Sequence, residues 1–226
     1  MDQDQRKNAI LAKMETHLSL EPIDLGRDLA SFEVEGFKLR VSSWQANNCR
    51  KVWCARHTMT EAGVDALNAF VYPATQYDAP IFLILFVITR RKVMCHFNIN
   101  TPLEDDDYKA KWVDPLTEIL KTYPTFEAKG QYPEWLLPYR HSCSVRGMHD
   151  LEQLDDLTNC MLDYLDVYLP KLTASEPISD PNTLIRIKAF HERFCDDIRT
   201  KDPGLRIMAN FMSKDLLNRF FHEVFT

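Results

Sequence analysis

The sequence predicts an α/β protein of the α+β kind, a single-domain three-layer α/β/α sandwich around a largely antiparallel sheet. Two observations carry this. Strand-like runs crowd the first hundred residues with no helix-length segment between neighbours, so adjacent strands pair antiparallel. Helical periodicity then dominates from Asp105 onward, which supplies layers to cover both faces of the sheet. No repeat, low-complexity stretch or linker divides the chain, and residues 1–226 are expected to form one domain.

Taken in order, Asn8–Leu18 spaces Ile10, Leu11, Met14 and Leu18 as one helical face, with Pro22 beyond it as the stop. Phe32–Val34 and Phe37–Val41 alternate apolar and polar residues around Gly36, the pattern of a hairpin. Lys51–Met59 is a third strand. Ala66–Tyr72, Ile81–Thr89 and Val93–Asn100 bring the count to six. Ile81–Ile88 is uninterruptedly apolar, too short to cross a bilayer and suited to a central strand buried on both faces. Asp105–Tyr123 opens on acidic residues, as a helix N-terminus favours, and stops at Pro124. Pro133–Pro138 is a loop or short helix. His149–Leu169 carries leucines at helical spacing and is expected to end at Pro170. Ser179-Asp180-Pro181 is a cap-and-start signal for a helix to about Thr200. After the break at Lys201–Gly204, Leu205–Phe225 is a last helical region.

The 226 residues carry a net charge of −6, against a general nucleic-acid role. Positive charge is nonetheless clustered, at Arg50-Lys51, Arg90-Arg91-Lys92, Lys109/Lys111 and Lys201/Arg206, where solvated surface competes with docking of an acidic partner. The six cysteines form no CxxC pair and are expected to be reduced thiols, with no metal site. No signal peptide or membrane-spanning run is visible, and no GxSxG, HExxH or phosphate loop. Residue chemistry alone reaches a soluble α+β domain and no further.

Four blocks go further. Cys49-Arg50-Lys51-Val52-Trp53 begins a strand. Asn68 to Phe82 follows the pattern N-x-x-x-Y-P-x-x-x-Y-D-x-P-[IL]-[FM]. Asp105-Asp106-Asp107-Tyr108 precedes Tyr123-Pro124. Lys201-Asp202-Pro203-Gly204 is followed by Phe211, Lys214 and Asn218–Glu223. In order and spacing these resemble the ferredoxin-dependent bilin reductases over roughly residues 29–226. The resemblance implies reduction of a linear tetrapyrrole, biliverdin or dihydrobiliverdin, to a phycobilin. It implies no bound cofactor, single electrons from a [2Fe-2S] ferredoxin, and protons from side chains. A monomer in a plastid stroma or bacterial cytoplasm, without nucleic-acid or membrane partners, fits the same picture.

The resemblance also implies roles for individual residues. Asp202 matches an acid that the family associates with A-ring reduction, although Asp-Pro-Gly alone is an ordinary turn. Asn68 stands where members carry His, Asp or Asn; it hydrogen-bonds well and is a poor acid. Leu85 stands where most carry Asp. Asn98 lies near a usual Asp, His96 is a further pocket candidate, and Arg146, after a strand or extended segment at Ser142–Val145, would hold a propionate. Lys201 and Arg206 would meet ferredoxin. The expected function is A-ring-directed reduction; the alternative is a catalytically silent bilin carrier with Leu85 in place of the acid. A relative of the plant chlorophyll-catabolite reductases, which share the fold, is a third reading.

Overall fold

The computed structural model describes residues 1–124, 126 and 132–225. One antiparallel sheet organises them. Its strands are β1 (Glu21–Pro22), β2 (Ser31–Val34), β3 (Phe37–Ala46), β4 (Cys49–Met59), β5 (Val64–Pro73), β6 (Ile81–Ile88), β7 (Lys92–Asn100) and β8 (Val145–Asp150). The order is β1-β3-β4-β5-β6-β7-β8, with β2 also pairing with β3. The two short strands thus share one edge: Glu21 and Pro22 lie opposite Gln45 and Trp44, and Ser31–Val34 opposite Phe37–Arg40. The predicted hairpin forms around Gly36, whose φ of 75° suits a residue without Cβ. β1 was not among the expected strands, being too short to show periodicity; β8 starts at the last residue of the expected Ser142–Val145 strand or extended segment and runs on to Asp150.

Alternation along the strands feeds two cores. Phe82, Ile84 and Phe86 of β6 face one; Ile81, Leu83 and Leu85 face the other. Over the first face lie α1 (Gln3–His17), α3 (Asp106–Trp112), α4 (Asp114–Lys121) and α5 (Leu154–Thr173). Over the second lie α2 (Arg27–Ala30), the 3₁₀ helix Glu134–Tyr139, α6 (Pro181–Lys201), α7 (Pro203–Met208), α8 (Lys214–Arg219) and the wider-wound turn Phe220–Phe225. This is the expected sandwich.

Prolines account for several boundaries that differ from expectation. The region Asp105–Tyr123 is two helices, because Pro115 near the start of α4 offers no N–H to the carbonyl of Lys111. Lys171 Nζ donates to that carbonyl instead, at 2.6 Å. Pro170 does not end α5, which runs on to Thr173; only one carbonyl loses its donor there, close to the helix end. His149 lies in β8, and α5 begins only at Leu154. Asp180 caps α6 as expected, accepting from Thr183 N at 2.9 Å. At the turn between β3 and β4, Asn48 takes φ 58° and its amide donates to the carbonyls of Leu172 and Thr173 at 2.9 and 3.1 Å, closing the C-terminus of α5. All six cysteines are free and buried, five in the first core and Cys195 in the second.

Three histidines are held neutral. Burial lowers His96 and His191 to about 3 and His57 to about 4; Arg146 and Arg50 add to the effect at the first two, while Asp65 opposes it at His57. A base depressed in the folded state loses protons on folding, so stability is full above the unfolded value of about 6.5 and drains as pH falls toward 4 and then 3. Urea midpoints should therefore drop between pH 7 and pH 5, and His191→Leu should flatten that dependence.

Candidate functional site

One rung of the sheet gathers four of the eight predicted residues, Asn68, Leu85, His96 and Arg146. Pairing runs Val41↔Ala55, Ala55↔Asn68, Asn68↔Leu85, Leu85↔His96 and His96↔Arg146, across β3 to β8 on the face covered by the C-terminal helices. At the usual strand spacing, Asn68 and Arg146 stand about 14 Å apart. The next rung toward the Pro80 end, Phe70, Leu83 and Asn98, is sealed. On the other side, Val87, Met94 and Met148 are only half-buried, as are Asn68, Leu85 and Arg146. Central strands of a covered sheet keep such exposure only where the covering layer stands off. This rung is therefore the floor of an open hollow, bounded by the C-terminal helices at one end.

The walls come from other elements. Tyr132 lies between two arginines, with the guanidinium of Arg140 at 5.2 Å and that of Arg146 at 5.4 Å from its ring centre. Its ring meets His96 edge-on at 6.3 Å. Across the floor, His57 on β4, opposite Ala66 on β5, packs 5.9 Å from Phe37, on which Phe211 stacks at 4.6 Å. Alanines at 55 and 66 keep the floor low beside Asn68. Neither Tyr132 nor His57 was singled out from sequence: Tyr132 carries no motif, and His57 becomes visible only once β4 is in register.

Asp202 closes α6 and opens α7. Its main-chain N–H bonds Ile198 O at 3.0 Å, and its carboxylate accepts from Gly204 N at 2.6 Å. Burial raises its carboxyl above the ordinary range, against the Gly204 bond and the charges of Arg146 and Arg206. Burial likewise pulls the Arg146 guanidinium down, opposed by Tyr132 and Asp202. The start of α7 thus lies near enough to the β8 end of the rung for the charges of Asp202 and Arg146 to be felt by each other. His96 is 4 % exposed, and its Nε2 has no hydrogen-bond partner among the described residues. A carboxyl leaning toward its acid form, a neutral imidazole and a guanidinium thus face an apolar floor. Such a site suits a flat, elongated molecule bearing carboxylates that takes up protons.

Two expectations need correction. Asn98 does not line the hollow: it is fully buried, its amide donating to Tyr139 O at 2.7 Å and its carbonyl accepting from Ser144 Oγ at 2.7 Å. Arg146 lies within β8, which begins at Val145, rather than after a strand or extended segment ending there. Lys201 and Arg206 are exposed, but Lys201 is engaged with Asp197 at 2.6 Å. A cleft of 710 Å³ lies elsewhere, lined by Lys111, Lys171 and residues 174–180 among others, and none of the predicted residues borders it. Among the described residues no group of His, Cys, Asp or Glu is arranged to hold a metal ion, and no helix is long and apolar enough to cross a membrane.

The family model for ferredoxin-dependent bilin reductases matches residues 7–225. The chain belongs to that family. As a bilin reductase it is an oxidoreductase drawing electrons from ferredoxin and acting on a bilin. It is 24 % identical over 197 residues to the 15,16-dihydrobiliverdin:ferredoxin oxidoreductase of Nostoc punctiforme, covering 81 % of this chain and 77 % of that one. It is 22 % identical over 205 residues to the phycoerythrobilin:ferredoxin oxidoreductase of Gloeobacter violaceus, covering 89 % and 83 %. The fold superimposes on phytochromobilin synthase from tomato in complex with biliverdin with a TM-score of 0.85 and 21 % identity, over 95 % of this chain and 80 % of that one.

Leu85 gives this bilin reductase a test of its floor. Leu85→Asp would set a carboxylate between Asn68 and His96 and should cost about 1–3 kcal/mol in urea unfolding. Because burial favours the protonated form, the cost should grow as pH rises from 5 to 8.

Proposed function

We propose that the chain reduces biliverdin or dihydrobiliverdin at the A ring, and that Asp202, reprotonated from water between electron transfers, supplies the protons there. Each double bond reduced takes two electrons, delivered singly by a [2Fe-2S] ferredoxin, and two protons. The observation that carries this reading is the desolvated Asp202 carboxyl at the mouth of α7, electrostatically coupled to Arg146 at the end of the rung. A raised carboxyl retains its proton nearer neutral pH and so can act as a general acid. Arg146 holds a propionate, Asn68 and His96 hydrogen-bond the pyrrole and lactam edges, and Leu85 contributes apolar contact. With Leu85 in mid-floor, protonation is confined to the Asp202 end, which is the basis for A-ring selectivity. Lys201 and Arg206 form the rim that meets an acidic ferredoxin. The protein works as a single-domain monomer in a plastid stroma or bacterial cytoplasm, where reduced ferredoxin is supplied.

Anaerobic incubation with biliverdin and reduced ferredoxin, followed by absorbance, tests this. Wild type should form a product with its own spectrum. Asp202→Asn should slow A-ring reduction about 10²–10⁴-fold while leaving biliverdin binding within a few-fold. The rate should fall as pH rises, because the acid form is consumed as Asp202 ionises. A spectral shift on binding without any reduction would identify a carrier, and wild-type turnover by Asp202→Asn would remove the proton-donor assignment.

Ferredoxin docking through the rim should weaken as salt rises from 0.05 to 0.5 M, and Lys201→Glu with Arg206→Glu should steepen the loss of kcat/KM for ferredoxin. Indifference to both changes would place the interface elsewhere.

A further inference from the structure

We propose that Asn98, Tyr139 and Asp197 form a strut that positions Asp202 over the hollow; the inference rests on the reading of Asp202 as proton donor. Among the described residues, Asp202 has no hydrogen bond to the sheet. Its place follows from the last turn of α6, through its N–H bond to Ile198, and from the first turn of α7, through Gly204. Close to its C-terminal end, α6 is fastened from the sheet side through Asp197. Asp197 Oδ2 accepts from the hydroxyl of Tyr139 at 2.6 Å.

Tyr139 is 1 % exposed, and its ring meets Phe190 and Phe194 of α6 edge-on at 5.9 and 5.1 Å. Its carbonyl is held by Asn98 Nδ2 at 2.7 Å, and Asn98 Oδ1 is held by Ser144 Oγ at 2.7 Å. Asn98 stands two residues along β7 from His96, and Ser144 two residues before Arg146 on the same face. The chain of bonds therefore starts beside the residues of the floor and ends five residues before Asp202. Burial pulls the Asp197 carboxyl up, but Lys201 and Tyr139 outweigh it and hold it below the usual range, so Tyr139 donates to a charged acceptor, the stronger kind of bond. Asn98, expected from sequence to touch the bilin, acts instead as the foot of this strut.

Tyr139→Phe removes the hydroxyl and keeps the ring packing. Asp197→Leu removes the acceptor, and Asp197→Asn keeps an acceptor of the same shape. Thermal melts first establish that each variant is folded; Asp197→Leu, at a half-buried helix position, serves if Tyr139→Phe does not fold. With biliverdin as probe, Tyr139→Phe and Asp197→Leu should bind within about twofold of wild type. Their single-turnover reduction by ferredoxin should be about tenfold slower, with the descending limb of the pH profile displaced, and Asp197→Asn should recover most of the rate.

Exchange of the Gly204 amide, which donates to Asp202, should be about tenfold faster in the two disruptive variants. In an Asp202→Asn background, Tyr139→Phe should bring no further slowing. Wild-type Gly204 exchange together with an unmoved pH limb in both disruptive variants would overturn the strut, as would an undiminished effect in the Asp202→Asn background. Wild-type turnover by Asp202→Asn would instead overturn the proton-donor reading, and Gly204 exchange would still decide whether the strut holds the loop.

Discussion

Burial of β6 on both faces is the constraint on which the rest of the molecule depends. Eight consecutive apolar residues cannot be satisfied by one helical layer, so the chain must furnish two, and it does so with helices that alternate between the faces along its length. Because side chains alternate with a period of two, the register of β6 against β5 and β7 decides which residues reach which layer. A slip of one residue would turn Phe86 toward the hollow and bury Leu85 among the residues now facing α5. The rung that holds Asn68, Leu85, His96 and Arg146 together is thus a by-product of packing a hydrophobic strand correctly.

That origin explains the chemistry of the hollow. Its floor is made by strands whose first obligation is to a core, so it is apolar and desolvating, and groups that stand on it are pushed toward their neutral forms. His96 and His57 are driven to the imidazole, and the Asp202 carboxyl toward the acid. The hollow therefore offers hydrogen-bonding groups and the two arginines beside Tyr132 rather than a field of fixed charge. The family resemblance places an acid in the centre of this floor; a leucine at that point leaves the centre without an ionisable group.

Local pattern made the strands legible where they were long. β4 to β7 were recognisable because each shows five or more residues of apolar or alternating character bounded by turn residues. β1 has two residues and owes its existence to β3, and β8 owes its own to an edge of β7 that only the folded sheet presents. Helix ends were misjudged at prolines for a tertiary reason: whether the freed carbonyl finds another donor, as Lys111 finds Lys171, is not written locally. In the site, Asn68, Leu85 and Asp202 were legible only through the family pattern. Asn98 was drawn into the pocket by that same pattern, yet its alternation places it one rung deeper, beneath the helices. Tyr132 and His57 escaped notice because aromatic and histidine residues without a motif become meaningful only through their neighbours across strands.

The cysteines carry a consequence of a different sort. Burial drives Cys49, Cys54, Cys143 and Cys160 to about 12, and Cys95 and Cys195 upward as well, so the folded protein holds almost no thiolate. Alkylating reagents can therefore reach these sulfurs only when a layer lifts. With five thiols beneath one helical layer and Cys195 beneath the other, the chain contains its own pair of clocks. The order in which the sulfurs become labelled records which side of the sheet opens first, without a probe having to be introduced.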